Sequence, residues 1–536
     1  MRFAGSSPDP RLPASRAALL GVLVVAAALA AGHLVAAFVG LGASPYLAVG
    51  NAAIDLTPEW LKQFAIATFG TADKVALLAG MALVLGVVAA TAGLLSRGSA
   101  RPGVVVILLL GAVGVAAVLS RSDLGQLGLL APVASVLVGV GAFHRLHRRA
   151  RDADTPARDA DTPARDADTP ARDADTPARG ADTRRGFLTA SLGVAAGAGV
   201  AGLAGQWIGA RIDPEASRRA VGELVPARGA PPIPAGADFA AQGTPTFLTP
   251  NADFYRIDTA LVVPRLRAQD WRMRVHGMVD RELSLSYADM RARRLVERTI
   301  TLACVSNPVG GPYVSTANFI GVDLGELLED AGVQQGAEQL LSTSEDGFTA
   351  GTPIDVVLEP DRRALLALGM NGEPLPVEHG FPVRMVVPGL YGYVSATKWL
   401  TDLQVTTWAA RQGYWIPRGW AREAPIKTQS RIDAPASGAR VTAGRVVVAG
   451  IAWAPHTGIR KVEVSLDGRP WQVADLAERV NVDSWRFWRA EVAAGPGEHQ
   501  VRCRATDATG STQTGEQTAV APDGATGWHT VGFMAQ

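Results

Sequence analysis

Cysteine is nearly absent: the 536-residue chain has two, Cys304 and Cys503. Two thiols cannot ligate an iron–sulfur cluster, which takes about four. They build no disulfide framework, and no C-x-x-C-H haem motif occurs. Charge is scarce as well. Asp, Glu, Lys and Arg make up 19% of the residues, and 51 basic against 50 acidic side chains leave a net charge of +1. That balance gives no basic footprint for a nucleic acid. With 48% hydrophobic residues and a mean hydropathy of +0.14, the composition is too apolar for a wholly soluble protein.

The apolar residues are unevenly spread. Four runs crowd the first 145 positions, at 17–40, 75–96, 103–120 and 126–143. Each is near the ~20 residues that span a bilayer, which predicts a four-helix membrane domain over residues 1–150. Arg2, Arg11 and Arg16 precede the first run, Arg97 and Arg101 follow the second, and His144-Arg145-Leu146-His147-Arg148-Arg149 closes the fourth. The loops 41–74 and 121–125 carry no basic excess, so the positive-inside rule puts both ends of this unit in the cytoplasm. Segment 58–70 reads as a short amphipathic stretch at the outer interface. Only His33 lies inside a run, too few for a bis-histidine haem, and His144 and His147 read as solvated boundary residues. No haem and no iron–sulfur cluster is expected. The lack of charge inside the spans speaks against a transporter.

Residues 152–179 repeat the heptad DADTPAR four times. There is no apolar a/d pair and every unit carries a proline, which excludes a coiled coil. A polar, charge-balanced segment of this kind reads as a disordered tether, assigned to 151–183. Thr183-Arg184-Arg185-Gly186-Phe187-Leu188 follows, ahead of an apolar Ala/Gly-rich stretch. This resembles a twin-arginine export signal, and a plain fifth membrane helix over 184–210 gives the same topology. Gly197, Gly199 and Gly202 form G-x-G-x-x-G within it. No strand precedes them, so small-residue helix packing is expected rather than a dinucleotide site.

Residues 211–246 are rich in Pro and Gly and read as a linker. From 247 to 425 short β-type runs (261–263, 271–275, 383–387) alternate with helical patches (324–331, 358–368), an α+β pattern. From 426 to 536 strands and turns dominate, as in an immunoglobulin-like β-sandwich. Cys503 alternates with Val501 and Ala505 there and is expected to be buried.

Cys304 closes the β-type run RTITLAC and opens the loop Ser306-Asn307-Pro308-Val309-Gly310-Gly311. A buried small hydrophobe, a nucleophile and a single thiolate ligand for a soft metal are all open readings. No local histidine supports the nucleophile.

This segment resembles the metal-ligand loop of the sulfite oxidase family. The stretch Met370-Asn371-Gly372-Glu373-Pro374-Leu375-Pro376, followed by His379-Gly380-Phe381-Pro382-Val383-Arg384, Val387-Pro388-Gly389 and Lys398-Trp399-Leu400, resembles that family's signature more specifically. Pro250-Asn251-Ala252-Asp253-Phe254-Tyr255-Arg256 resembles its early pterin-contacting segment.

The resemblance covers about 247–536. It implies a molybdenum–molybdopterin cofactor with Cys304 as the protein's metal ligand. His379, Arg384, Ala396, Thr397 and Lys398 are implied cofactor contacts, with Asn251, Tyr255 and Arg256 from the first segment. Arg256 also stands as a catalytic candidate beside Cys304, and the C-terminal domain as a dimerisation domain. Asp258 replaces the histidine of the eukaryotic enzymes. One departure matters: the family's substrate-binding arginine after the ligand cysteine is missing, its place filled by the uncharged Ser306 to Val309. Arg256, Arg418 or Arg422 could compensate.

The expectation is a multi-pass membrane protein with its catalytic domain outside the cytoplasm. It would transfer an oxygen atom to or from a sulfur or nitrogen oxide, and exchange electrons with a separate cytochrome or quinone carrier. A non-catalytic receptor using the same ectodomain is the competing reading; the retained Cys304, His379, Arg384 and Lys398 argue against it.

Overall fold

A computed structural model describes residues 11–58, 72–121, 124–154, 179–210 and 212–536, with isolated positions between 61 and 69. Most of the DADTPAR repeat, and half of the 58–70 segment read as amphipathic, lie outside the described residues. The chain divides into two compact units. One comprises residues 1–212 with 260–262; the other comprises 213–259 with 263–536.

The first unit is helical. Among the described residues five stretches are long and apolar enough to cross a membrane: Ala14–Val39, Lys74–Leu95, Arg101–Leu119, Gln126–Ala153 and Arg185–Val221, the last of which runs past this unit's own helix Arg179–Ala210. Small residues set the closest crossing. An ideal Cβ on Gly21 would lie 1.9 Å from the Ala89 carbonyl oxygen, and one on Gly93 1.9 Å from that of Ala17. Backbones meet there because neither position carries a side chain.

Three sequence expectations change. The loop 41–74 contains a further helix, Pro45–Leu56, with proline at its first turn. His147 is buried rather than solvated, donating from Nε2 to the Ser96 carbonyl at 2.8 Å. A Cβ on Gly197, Gly199 or Gly202 would meet nothing within 4 Å, so these glycines do not serve close packing among the described residues.

The second unit begins inside the expected linker, with the helix Pro214–Val221 capped by Asp213. Its strands are β1 Arg272–Gly277, β2 Leu283–Ser286, β3 Leu295–Ala303, β4 Val314–Asp323, β5 Gln339–Ser344, β6 Thr349–Pro353, β7 Leu365–Met370, β8 Glu373–Pro374, β9 Arg384–Val386 and β10 Leu400–Thr406. One sheet runs β2-β1-β10-β5-β6; the other runs β3-β4-β7-β8, with β9 on β7. Residues 261–263 form no strand, and the helical patch expected at 358–368 is a helix ending at Leu358 followed by β7. Leu365, Leu366, Ala367 and Leu368 are fully buried. A short continuous apolar run cannot be told from a buried helix by periodicity alone.

The remaining strands are β11 Gln429–Ala434, β12 Arg440–Val441, β13 Gly444–Trp453, β14 Ile459–Leu466, β15 Gln472–Val473, β16 Asp475–Leu476, β17 Arg486–Ala494, β18 Gly497–Asp507 and β19 Thr530–Ala535. They form two sheets, β11-β13-β17-β16 and β12-β19-β18-β14-β15. Val446, Val448, Trp488 and Val492 of one sheet share a core with Val462, Val464, Val501 and Phe533 of the other. Cys503 sits in that core, fully buried opposite Val464.

Candidate functional site

Three connections of the α+β layers converge on one place. β3 and β4 pair from Leu295↔Val322 to Ala303↔Val314, so residues 304–313 form the loop at the end of this hairpin and Cys304 is its first residue. The Cys304 amide donates to the Tyr313 carbonyl at 3.0 Å, which fixes the start of the loop. The thiol is half-buried, with Ser306 Oγ 2.9 Å from Sγ. Burial pushes its pKa up, while the Ser306 contact and the Lys398 charge act to lower it.

The C-terminal sandwich holds the loop from below. Arg431 donates from Nη1 to the Gly311 carbonyl at 2.9 Å and pairs with Asp433 at 2.7 Å. A Cβ on Gly310 would lie 2.1 Å from His529, so this residue, at φ +75°, has room only as glycine. Arg431 and His529 belong to no motif of the site, and nothing local in the sequence announced them.

The signature stretch supplies the cationic part. Gly380, at φ +110°, passes so close to Lys398 that a Cβ would lie 3.1 Å from the Lys398 Cα. Arg384 opens β9 and is buried. It donates to the carbonyls of His379 (3.2 Å) and Ala396 (3.4 Å), and its guanidinium lies 5.8 Å from the centre of the Phe319 ring. Its Nε is buried without a hydrogen-bond partner. Burial lowers its pKa to about 10. His379 donates from Nε2 to the Asn251 carbonyl at 3.1 Å, which leaves Nδ1 as an acceptor. Burial, reinforced by Arg384 and Lys398, holds its pKa at about 4, so the ring is neutral at pH 7.

Lys398 is nearly buried. Its ammonium meets Asp258 Oδ2 at 2.7 Å and the Glu378 carbonyl at 3.2 Å. Burial lowers its pKa to about 8, against the opposing pull of Asp258. Arg256 pairs with the same Asp258 oxygen at 3.0 Å.

The structure thus sorts the sequence-derived candidates. Arg256, His379, Arg384 and Lys398 form one electrostatic group, since the first, third and fourth all act on His379. Tyr255 lies between this group and the thiol. Its hydroxyl and the Ala303 carbonyl would each be 3.8 Å from a Cβ on Gly392, and its pKa, raised by burial, feels both Cys304 and Arg384.

The side chain of Asn251 is taken up by scaffolding. It accepts from Asn371 Nδ2 at 2.8 Å and donates to Glu373 and the Met370 carbonyl. Thr397 is turned inward, its hydroxyl 2.7 Å from that of Ser342, and Ala396 offers its carbonyl to Arg384. Arg418 stacks on Tyr414 at 3.7 Å and Arg422 lies over Trp408, so each is engaged by an aromatic ring. Tyr391, buried and accepting from the Lys427 amide at 3.4 Å, is a neighbour of the thiol that the sequence did not single out.

These residues fit a phosphate-bearing cofactor. Arg256 and Lys398 pair with one carboxylate, Asp258, while the buried Arg384 guanidinium donates only to carbonyls and leaves its Nε orphaned. Such a cradle is short of about two negative charges, the charge of a phosphate monoester, and guanidinium forks suit its oxygens. Among the described residues no group of three or more His, Cys, Asp or Glu could hold a metal ion. A metal here needs the cofactor's own ligands beside the single thiolate.

Comparisons with known proteins agree. Residues 260–415 match the oxidoreductase molybdopterin binding domain, and residues 422–534 match the Mo-co oxidoreductase dimerisation domain. The sulfite oxidase of Gallus gallus is 34% identical over 314 residues, covering 50% of this chain and 68% of that one. The chain belongs to the sulfite oxidase-type molybdopterin oxidoreductases.

The mitochondrial sulfite oxidase of Homo sapiens is 33% identical over 313 residues, 49% of this chain and 57% of that one. An uncharacterized oxidoreductase of Bacillus subtilis (strain 168), YuiH, is 36% identical over 150 residues, 28% of this chain and 72% of that one. The molybdopterin-dependent oxidoreductase of this chain is therefore its second unit. The 250–256 segment precedes the matched range, and geometry ties it to the site, through the His379–Asn251 bond and the ion pairs of Arg256 and Lys398 with Asp258.

Proposed function

We propose that this protein is a membrane-anchored oxidoreductase, facing out of the cytoplasm, that moves an oxygen atom between water and a neutral sulfur or nitrogen oxide. The observation that carries the substrate reading is the loop after Cys304. Residues 305–309 carry no charge, and the arginine that approaches the loop, Arg431, is spent on the Gly311 carbonyl and Asp433. An anion desolvated there without a cationic partner would cost several kcal/mol, whereas a neutral S-oxide or N-oxide needs only hydrogen-bond donors. Arg256, the catalytic candidate, is held by Asp258 on the cofactor side.

In this reading Cys304 supplies the thiolate to molybdenum, and Arg384, Lys398 and His379 hold the molybdopterin. When bound, that cofactor supplies two-electron oxygen-atom transfer. The chain's own groups do the rest. Ser306 Oγ, 2.9 Å from Sγ, tunes the thiolate's electron density as a hydrogen-bond donor. Tyr255 is kept protonated by burial and is placed to donate a hydrogen bond or a proton to a substrate oxygen. The net reduction of a sulfoxide consumes two electrons and two protons and releases water, the electrons coming from a separate cytochrome or quinone carrier. Sulfite oxidation would run the opposite electron flow.

The five long apolar helices and the arginine-rich boundaries support a multi-pass anchor. The twin arginines Arg184-Arg185 support passage of the second unit across the membrane. The two-sheet C-terminal domain is read as an immunoglobulin-like homodimerisation module. A full-length preparation assayed for molybdenum and pterin, then screened with sulfite, sulfoxides and N-oxides against dye donors and acceptors, tests the proposal. Cofactor present with turnover of a neutral oxide is the expected result; cofactor present with turnover of sulfite alone would refute the substrate reading.

A further inference from the structure

Asp258 was not among the residues implied in the cofactor's hold, yet it occupies the centre of the cationic group. Its side chain is 5% exposed. One oxygen, Oδ2, receives Lys398 at 2.7 Å and Arg256 at 3.0 Å. We infer that Asp258 is a positioning residue that keeps Lys398 charged, and so able to hold the phosphate of the cofactor. The inference rests on the reading of Lys398 as a cofactor contact.

The geometry around Lys398 makes the carboxylate necessary. An ammonium has three N–H donors. Asp258 takes one and the Glu378 carbonyl a second, which leaves the third to meet a phosphate oxygen. Among the described residues the other charged groups acting on it are cations: Arg384 and Arg256 both oppose its protonation. The Trp399 ring, its centre 4.8 Å from Nζ, adds a weak attraction. The neighbouring His379 is neutral and contributes none. Asp258 is thus, among the described residues, the one carboxylate acting on Lys398, set against burial and two like charges. With it, Lys398 titrates near pH 8. A paired carboxylate at this distance moves a pKa by about 1–3 units, so its loss would leave Lys398 largely neutral at physiological pH.

Two signs follow. Hold on the phosphate weakens as pH rises through the pKa of Lys398. Fold stability does the reverse. A lysine whose folded pKa lies below its unfolded value binds fewer protons when folded, so its cost is relieved as pH rises. A merely structural role for Asp258 would not separate these trends.

The test uses the full-length protein loaded with its cofactor in detergent. Samples are held between pH 6 and pH 9 and desalted, and retained molybdenum and pterin are measured by metal analysis and pterin fluorescence. Wild type should lose cofactor as pH rises above the value of about 8 that Lys398 has without the phosphate, since a bound phosphate favours the charged ammonium. Asp258→Asn should lose it with a midpoint at least about one pH unit lower. The double variant Asp258→Asn with Lys398→Arg should retain cofactor across the range, because a guanidinium stays charged without a partner.

An Asp258→Asn midpoint equal to that of wild type overturns the inference while leaving the cofactor reading intact. If Asp258→Asn does not fold and the double variant does, the inference stands; if neither folds, Asp258 is a structural residue and the inference fails. A wild-type preparation with no molybdenum and no pterin would remove the cofactor reading and this inference with it.

Discussion

Cys304 and Cys503 are the same side chain in opposite settings. Cys503 lies among Val464, Val501 and Ala505 with no route to solvent, and burial pushes its thiol up to about 12. Cys304 is half-buried beside a hydroxyl and within the field of Lys398. Cys304→Ala should therefore abolish turnover and lower molybdenum content while the melting temperature stays near that of wild type. Cys503→Ala should keep activity and cost about 1 kcal/mol as a small cavity. Parallel activity, metal and melting measurements on the two variants separate the roles, and full turnover by Cys304→Ala would sink the ligand assignment.

Asn371 shows a residue of the signature acting through structure. Its amide donates to the Thr249 carbonyl and to Asn251 Oδ1, and its Oδ1 accepts from the Asn318 amide, at 2.8–3.0 Å. It stands at φ +51°, next to Gly372 at φ +82°. Asn371→Ala should lose about 3 kcal/mol of stability in a denaturant melt, from the lost bonds and the strained backbone.

At the scale of elements, legibility followed periodicity and motif. The long apolar runs at 17–40, 75–96, 103–120 and 126–143 were readable because nothing else in a chain looks like a span. The helix Pro45–Leu56 was not, because twelve residues of mixed character inside a polar-flanked loop carry no span-length signal. β7 was misread because its buried residues follow no alternation. Among the candidate residues, His379, Arg384 and Lys398 lie in a dense motif and could be named from the sequence. Arg431 and His529 approach the Cys304 loop from another domain, and Tyr391 gains its meaning only from what folds beside it. Asp258 was visible as a departure from the family, yet its two partners, at positions 256 and 398, are joined only by the fold.

The helix carrying Arg184 and Arg185 tests the export reading. A lysine pair keeps charge and hydropathy but loses the forked guanidinium geometry a receptor can read. Arg184→Lys with Arg185→Lys should leave the second unit protease-inaccessible in intact cells. Normal accessibility would assign this helix to ordinary membrane insertion.

On the scale of the whole molecule, the chain joins an apolar helical unit to an oxidoreductase whose candidate cofactor residues come from three separate stretches of sequence. The central claim is that the family's oxygen-transfer chemistry is directed here at a neutral oxide. The decisive measurement is kcat/KM for sulfite and for a neutral sulfoxide on one full-length preparation of known molybdenum content. The account predicts that the sulfoxide is the better substrate. Sulfite turnover near that of an efficient enzyme, about 10⁶ M⁻¹s⁻¹, with no sulfoxide reduction, would contradict it.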